Sequence, residues 1–134
     1  MRVFNQSLRL STRGEVNLVD ISHMVQDVVA KSGIENGIAH VFAPHATGVL
    51  VLTEYEPSLI EDIKNMLEQL IPKRGDYAHP SNAHSHLRSM LFSPDKTLPV
   101  IDGQLALGTW QSLVFIETDV YPRQRTIIVQ VLGE

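Results

Sequence analysis

Three histidines, His79, His84 and His86, fall within eight residues, and a fourth, His45, stands in a short polar stretch between two apolar runs. Neutral imidazole is the commonest metal-binding side chain, and three such ligands around an open position make the usual catalytic zinc arrangement. A histidine cluster is equally common as surface decoration, and without cysteine no spacing here is a metal signature by itself. His84 and His86 cannot both aim at one point from a regular helix, because residues two apart diverge by about 200°. One of the two must stand aside. In the first turn of a helix the positive dipole end disfavours imidazolium and keeps the ring neutral, and the same end attracts an anionic group. His23 flanks the apolar stripe of the first helix and reads as solvated. His40 alternates with Ile38 and Phe42 and reads as a hydrogen-bonded core residue.

Carboxylates and guanidinium groups add further chemistry. Glu54 follows Val49-Leu50-Val51-Leu52-Thr53 and by alternation shares a face with Leu50 and Leu52. A carboxylate there must leave the core or meet a partner. Glu117 and Asp119 continue the face of Leu113 and Phe115 in the same way. Arg123 and Arg125 flank Gln124 and either offer guanidinium to a phosphate or form rim salt bridges. No glycine-rich nucleotide loop and no nucleophile elbow is present, so nucleotide cofactors and hydrolase triads lack support.

These groups need a scaffold. Segments 2–10 and 15–19 have strand composition around Thr12-Arg13-Gly14, which predicts an opening hairpin. Asp20 can cap a helix carrying Ile21, Met24, Val25, Val28 and Val29 at helical spacing, closed by Gly33 in the left-handed conformation. Ile38 to Phe42 and Val49 to Thr53 read as neighbouring buried strands around the loop that holds His45. Pro57 opens an amphipathic helix through Ile71, which Pro72 ends. Asn82 can cap a shorter helix that buries Leu87, Met90 and Leu91. Strands near 104–108, 111–118 and 125–132 complete the order ββαββααβββ. This is an α+β class, and residues 1–134 read as one domain without repeats or linkers.

Composition narrows the function classes. A chain of 134 residues with 43% apolar and 19% charged residues is globular and large enough to bury a core without disulfides. The net charge of −4 contains no basic run, which argues against nucleic acid as a partner. No apolar run approaches the roughly 20 residues needed to span a bilayer, and no apolar signal core follows Met1. Cytoplasm is the expected location and no membrane partner is expected. The absence of cysteine means that any metal must be held by nitrogen and oxygen.

Several stretches together look like the YjbQ-like family, whose members are often labelled secondary thiamine-phosphate synthases. They are His45-Ala46-Thr47-Gly48, Leu52-Thr53-Glu54, Tyr77-Ala78-His79, Asn82-Ala83-His84-Ser85-His86-Leu87, Leu105 to Gln111, and Pro122-Arg123-Gln124-Arg125. The resemblance spans nearly the whole chain. It implies a homotrimer with a mixed or antiparallel barrel-like sheet and helices packed outside. It also implies a polar site near subunit boundaries where the matched histidines gather, with a divalent metal possible there.

Carried over residue by residue, the resemblance makes His45, His79 and His86 the metal ligands. It makes Glu54, Asn82 and Gln111 catalytic neighbours, with Glu54 as general base, and ranks His84 below the other histidines. Two departures touch the pocket: Ala46-Thr47 stands where the family usually has Thr-Thr or Thr-Ser, and the segment between His79 and Asn82 is shorter. The label implies a transferase that joins a pyrimidine diphosphate to a thiazole phosphate with loss of pyrophosphate. Arg123 and Arg125, with Arg88 behind them, are the cations for such phosphates. The nitrogen-rich site suits zinc, with magnesium as the alternative. The competing reading is a non-catalytic trimeric module binding a metal ion or small anion, and a third is a scaffold indifferent to its histidines.

Overall fold

The computed structural model describes residues 1–134. Its order is β1 (Arg2–Ser11), β2 (Asn17–Asp20), α1 (Ser22–Ser32), β3 (Gly37–Phe42), β4 (Gly48–Thr53), α2 (Pro57–Leu70), α3 (Ala83–Met90), β5 (Asp95–Ile101), β6 (Gln104–Leu105), β7 (Ser112–Glu117) and β8 (Gln124–Gly133). The α+β class expected from the sequence holds. One sheet has the order β1-β8-β3-β5-β6 and the other β2-β7-β4, with every pairing antiparallel.

The expected opening hairpin does not form. β1 pairs along its whole length with β8, while β2 pairs with β7 in the other sheet. The connection between them turns at Gly14 (φ 93°), where a Cβ would come 2.9 Å from the Val120 carbonyl oxygen. β3 and β4 are not neighbours either: β3 lies between β5 and β8, and β4 pairs with β7. The loop holding His45 thus crosses between sheets. β5 was absent from the expected elements because Pro99 interrupts its pattern. Pro99 is tolerated because its carbonyl accepts from Ala106 (2.9 Å), turning the residue's polar side toward the edge, and β6 covers only Val100 and Ile101.

Alternation fills the main core. Leu113 and Phe115 of β7, Ile127, Val129 and Val131 of β8, and Ala39 and Val41 of β3 point inward against Val25, Val28 and Val29 of α1. Asp20 lies one residue ahead of the cap position, and its Oδ1 accepts the Ser22 backbone N–H (2.9 Å). Gly33 closes the helix in the left-handed region (φ 68°) as expected. The other face of the β2-β7-β4 sheet carries a smaller cluster of Leu18, Val49, Val114 and Ile116, against which Ile60 and Ile63 of α2 pack.

Helix α3 reverses its expected orientation. It buries Ala83, His84, Ser85, Arg88 and Ser89, while Leu87, Met90 and Leu91 are exposed. The polar face wins because it has fixed partners inside. His84 Nε2 lies 2.7 Å from Glu15 Oε2, Arg88 Nε donates to the Ile71 carbonyl (3.0 Å), and Ser89 Oγ meets Thr118 Oγ1 (2.7 Å). Satisfied polar groups of this kind can be buried at little cost.

Candidate functional site

β4 and β7 run antiparallel with Gly48 opposite Glu117 and Thr53 opposite Ser112. Gly48 is required there, since a Cβ would meet the Phe115 ring at 2.3 Å. Beyond this end, the alternation that places Leu113 and Phe115 in the core delivers Glu117, fully buried, into the same interior. The alternation of β8 delivers Arg125 likewise. Arg125 Nε donates to Glu117 Oε1 (2.7 Å), its Nη2 donates to Glu117 Oε2 and to Thr47 Oγ1 (2.9 Å), and Thr12 Oγ1 donates to Glu117 Oε1 (2.7 Å). This network ties together β1, β7, β8 and the loop that carries His45.

Asp119 is the next hub outward. Its Oδ2 accepts from Thr47 Oγ1 (3.2 Å) and pairs with Arg123 (3.0 Å), and its Oδ1 accepts from Asn82 Nδ2 (3.3 Å). Burial alone would raise its carboxyl, but the Val120 N–H, Asn82, Arg123 and Thr47 together outweigh it and hold Asp119 below the usual carboxylate range. Asn82 Oδ1 in turn lies 3.1 Å from His79 Nε2, and the His79 and His86 rings meet edge to face with centroids 5.0 Å apart. These rings line a cleft of about 320 Å³ with Tyr77, Ala83 and Leu87. Asp119 was read from sequence only as a strand-end acid. Thr12 and Thr126 gave no signal, and Thr47 appeared only within the His45 motif, because their roles rest on partners 72 to 111 residues away.

His84 and His86 separate as their spacing requires, His86 toward the cleft and His84 inward to Glu15. Burial raises the Glu15 carboxyl, and hydrogen bonds and charge from Lys73 and His84 outweigh this to lower it. His45 lies elsewhere. Its Nε2 is within 2.9 Å of the Thr126 carbonyl oxygen and 3.1 Å of the Thr126 nitrogen, so the β8 backbone occupies that nitrogen and leaves Nδ1 for other contacts. Burial pushes the imidazole toward its neutral form, helped by the Arg125 charge and opposed by the Thr126 hydrogen bond. His45 lines a separate cleft of about 300 Å³ with Ser89, Met90 and Phe92. His40 is half exposed rather than in the core, and is hydrogen-bonded to Thr97 (2.9 Å). His23 is exposed.

Within one chain, therefore, the three histidines expected as metal ligands do not converge, and no three His, Cys, Asp or Glu side chains come together to hold a metal ion. His79 and His86 offer two nitrogen donors side by side. A zinc site with three protein ligands needs one more than this chain supplies. Glu54 and Gln111 lie just beyond the opposite end of the β4–β7 pair, six residue steps from Gly48 and Glu117, or roughly 20 Å at strand rise. Both are exposed, and Gln111 Oε1 accepts the Gly108 N–H (2.9 Å), shaping a turn that carries Trp110 at 74% exposure. Arg88, the third cation considered, is buried between Glu68 (2.7 Å) and the Ile71 carbonyl.

The molecule is thus defined as an antiparallel α+β half-barrel with a histidine-lined cleft at one end of its sheets. It belongs to the YjbQ family, matching the family described as UPF0047 protein YjbQ-like over residues 6–134. A UPF0047 protein of Methanothermobacter thermautotrophicus is 45% identical over 137 residues, covering 100% of this chain and 95% of that protein. A YbjQ-like protein of unknown function from Sulfolobus solfataricus superposes with a TM-score of 0.95 at 35% identity, covering 99% of each chain. A hypothetical protein from Aeropyrum pernix gives a TM-score of 0.92 at 33% identity, covering 98% of this chain and 99% of that one. No helix is long and apolar enough to cross a membrane.

Proposed function

We propose that this chain is one subunit of a homotrimeric cytoplasmic enzyme that takes a small phosphorylated molecule into the His79–His86 cleft, with thiamine phosphate formation as the named reaction. The observation that carries this reading is the relay from Asp119 through Asn82 to His79, with His86 against it. A carboxylate that anchors an amide, which in turn orients an imidazole, prepays the positioning of a group that must meet a substrate. Asn82 Oδ1 takes His79 Nε2, which leaves His79 Nδ1 and the His86 ring to meet a ligand in the cleft they line.

A divalent metal, zinc first because both donors are nitrogen, would take His79 and His86 as two ligands and a third from a neighbouring subunit, and when bound would neutralise phosphate charge. Self-association, which a trimer requires, has apolar surface available in Leu87 and Met90 of α3, Leu91 just beyond it and exposed Trp110. It also gives Glu54 and Gln111 of one subunit a route to the histidine cleft of another.

The test is turnover of the pyrimidine diphosphate with the thiazole phosphate, with zinc or magnesium supplied. Parent protein is expected to form product, and His79→Ala and His86→Ala to lose about 100-fold or more. No product from the parent defeats the enzyme and leaves the binding module. Metal content of purified protein separately tests the metal, which should fall in His86→Ala.

A further inference from the structure

A phosphate needs cations that the fold has not already spent. Arg125 is buried and gives its guanidinium to Glu117 and Thr47, and Arg123 is bound to Asp119. An incoming phosphate at either would compete with a carboxylate already in place. Arg74 differs from both. It is exposed, and no carboxylate of the chain forms an ion pair with it.

Arg74 lines a polar cleft of about 380 Å³ together with Lys73, Tyr77, His79 and Ser81. The loop that forms this cleft is braced by its own contacts. The Tyr77 hydroxyl donates to the Pro72 carbonyl (2.5 Å), and the Lys73 backbone N–H donates to Glu68 Oε2 (3.3 Å). The Tyr77 ring closes over Gly75, where a Cβ would come within 2.7 Å of it. Lys73 Nζ is held 2.6 Å from Glu15 Oε1 and so, like Arg123, is already committed to a carboxylate, which leaves Arg74 as the uncommitted cation of this cleft. The polar cleft and the more apolar cleft of His86 and Leu87 share Tyr77, His79 and Ala83 as a common wall. One small molecule can therefore lie across both.

We propose that Arg74, beside His79, seats the phosphate of a monoester whose flat apolar body lies between Tyr77, His86 and Leu87. The proposal rests on the reading that the His79–His86 cleft takes a small phosphorylated molecule, and it adds where the phosphate goes and what kind of group it is attached to. A planar guanidinium matches phosphate oxygens in a two-pronged contact that a point charge does not reproduce. The apolar wall of the neighbouring cleft favours an aromatic or heteroaromatic ring over a sugar.

Phenyl phosphate is the probe, titrated into the full chain by calorimetry beside inorganic phosphate and phenol. The parent should bind phenyl phosphate saturably, at one per chain, on the order of tenfold tighter than either fragment. Arg74→Met should weaken it on the order of tenfold and leave phenol unchanged, while Arg9→Met, an exposed guanidinium on β1, stays within about twofold. Arg74 is exposed, so this variant keeps its fold, which circular dichroism checks. If Arg74→Met binds phenyl phosphate like the parent while His86→Ala loses it, the Arg74 seat is overturned and the histidine cleft stands. If the parent shows no saturable binding up to about 10 mM, the seat is also overturned, and turnover with metal content then decides the histidine reading on its own.

Discussion

Replacing Arg125 by Met should cost more stability than any other single change near the site. Arg125 is 8% exposed and Glu117 fully buried, and the carboxylate is held by Arg125, Thr12 and the Asp119 N–H (3.0 Å). Removing one partner of a buried pair leaves an uncompensated charge, at a cost of about 3–5 kcal/mol. Against a total of about 5–15 kcal/mol for a domain, that is a large fraction. At this chain length each kcal/mol moves the melting temperature by roughly 3–5 °C, so a fall of about 9–25 °C is expected. Thr47 would also lose its guanidinium partner, loosening the loop that carries His45. The assay is urea unfolding of the parent, Arg125→Met, and the double variant Arg125→Met with Glu117→Leu. The double variant should recover most of the loss, because an apolar pair of similar volume often matches or exceeds a buried ion pair. A single-variant loss under about 1 kcal/mol, or a double variant no better than the single, would refute the assignment of this pair as a coupled buried unit.

The His45 imidazole is lowered on folding, so the folded state binds fewer protons and its stability contribution, present above the ordinary histidine range, is lost as pH falls below it. His45→Gln should therefore flatten the decline in urea midpoint between about pH 7.5 and pH 5.5, and an unchanged slope would count against it. Asp119 and Glu15 are lowered as well, so their contributions are present at neutral pH and lost as pH falls through the carboxylate range; Asp119→Asn should shrink the acid-induced loss seen by circular dichroism. Gly48→Ala, which drives a methyl into the Phe115 ring, should cost about 1–3 kcal/mol in a thermal melt. Leu87→Asp with Met90→Asp, both on the exposed side of α3, should leave secondary structure intact yet give a monomer mass by light scattering if that stripe joins subunits.

How much was legible beforehand depended on the range of the interactions involved. The periodicity from Leu59 to Leu70 and the prolines at its two ends place α2 within a residue, and Gly33 marks the end of α1. Repeated β-branched runs disclose strands, and the opposite orientations of His84 and His86 follow from helix geometry. The family was readable from the stretches around His45, His79, Asn82 and Trp110, a resemblance upheld by the match over residues 6–134.

Strand partners were not readable, since a hairpin prior favours close neighbours while β1 found its partner near the other end of the chain. The inward face of α3 was misjudged because hydrophobicity alone placed Leu87 inside. Partners such as Glu15, 69 residues from His84, made the polar face the buried one. The sequence by itself determined which elements form and which side chains can carry a proton, a charge or a phosphate, because those are properties of residue type and local spacing. The tertiary structure decided which of them meet. It joined Asp119, Asn82, His79 and His86, spent Arg123 and Arg125 on carboxylates, and left Glu54 and Gln111 at the far end, because pairing and burial are settled between distant segments.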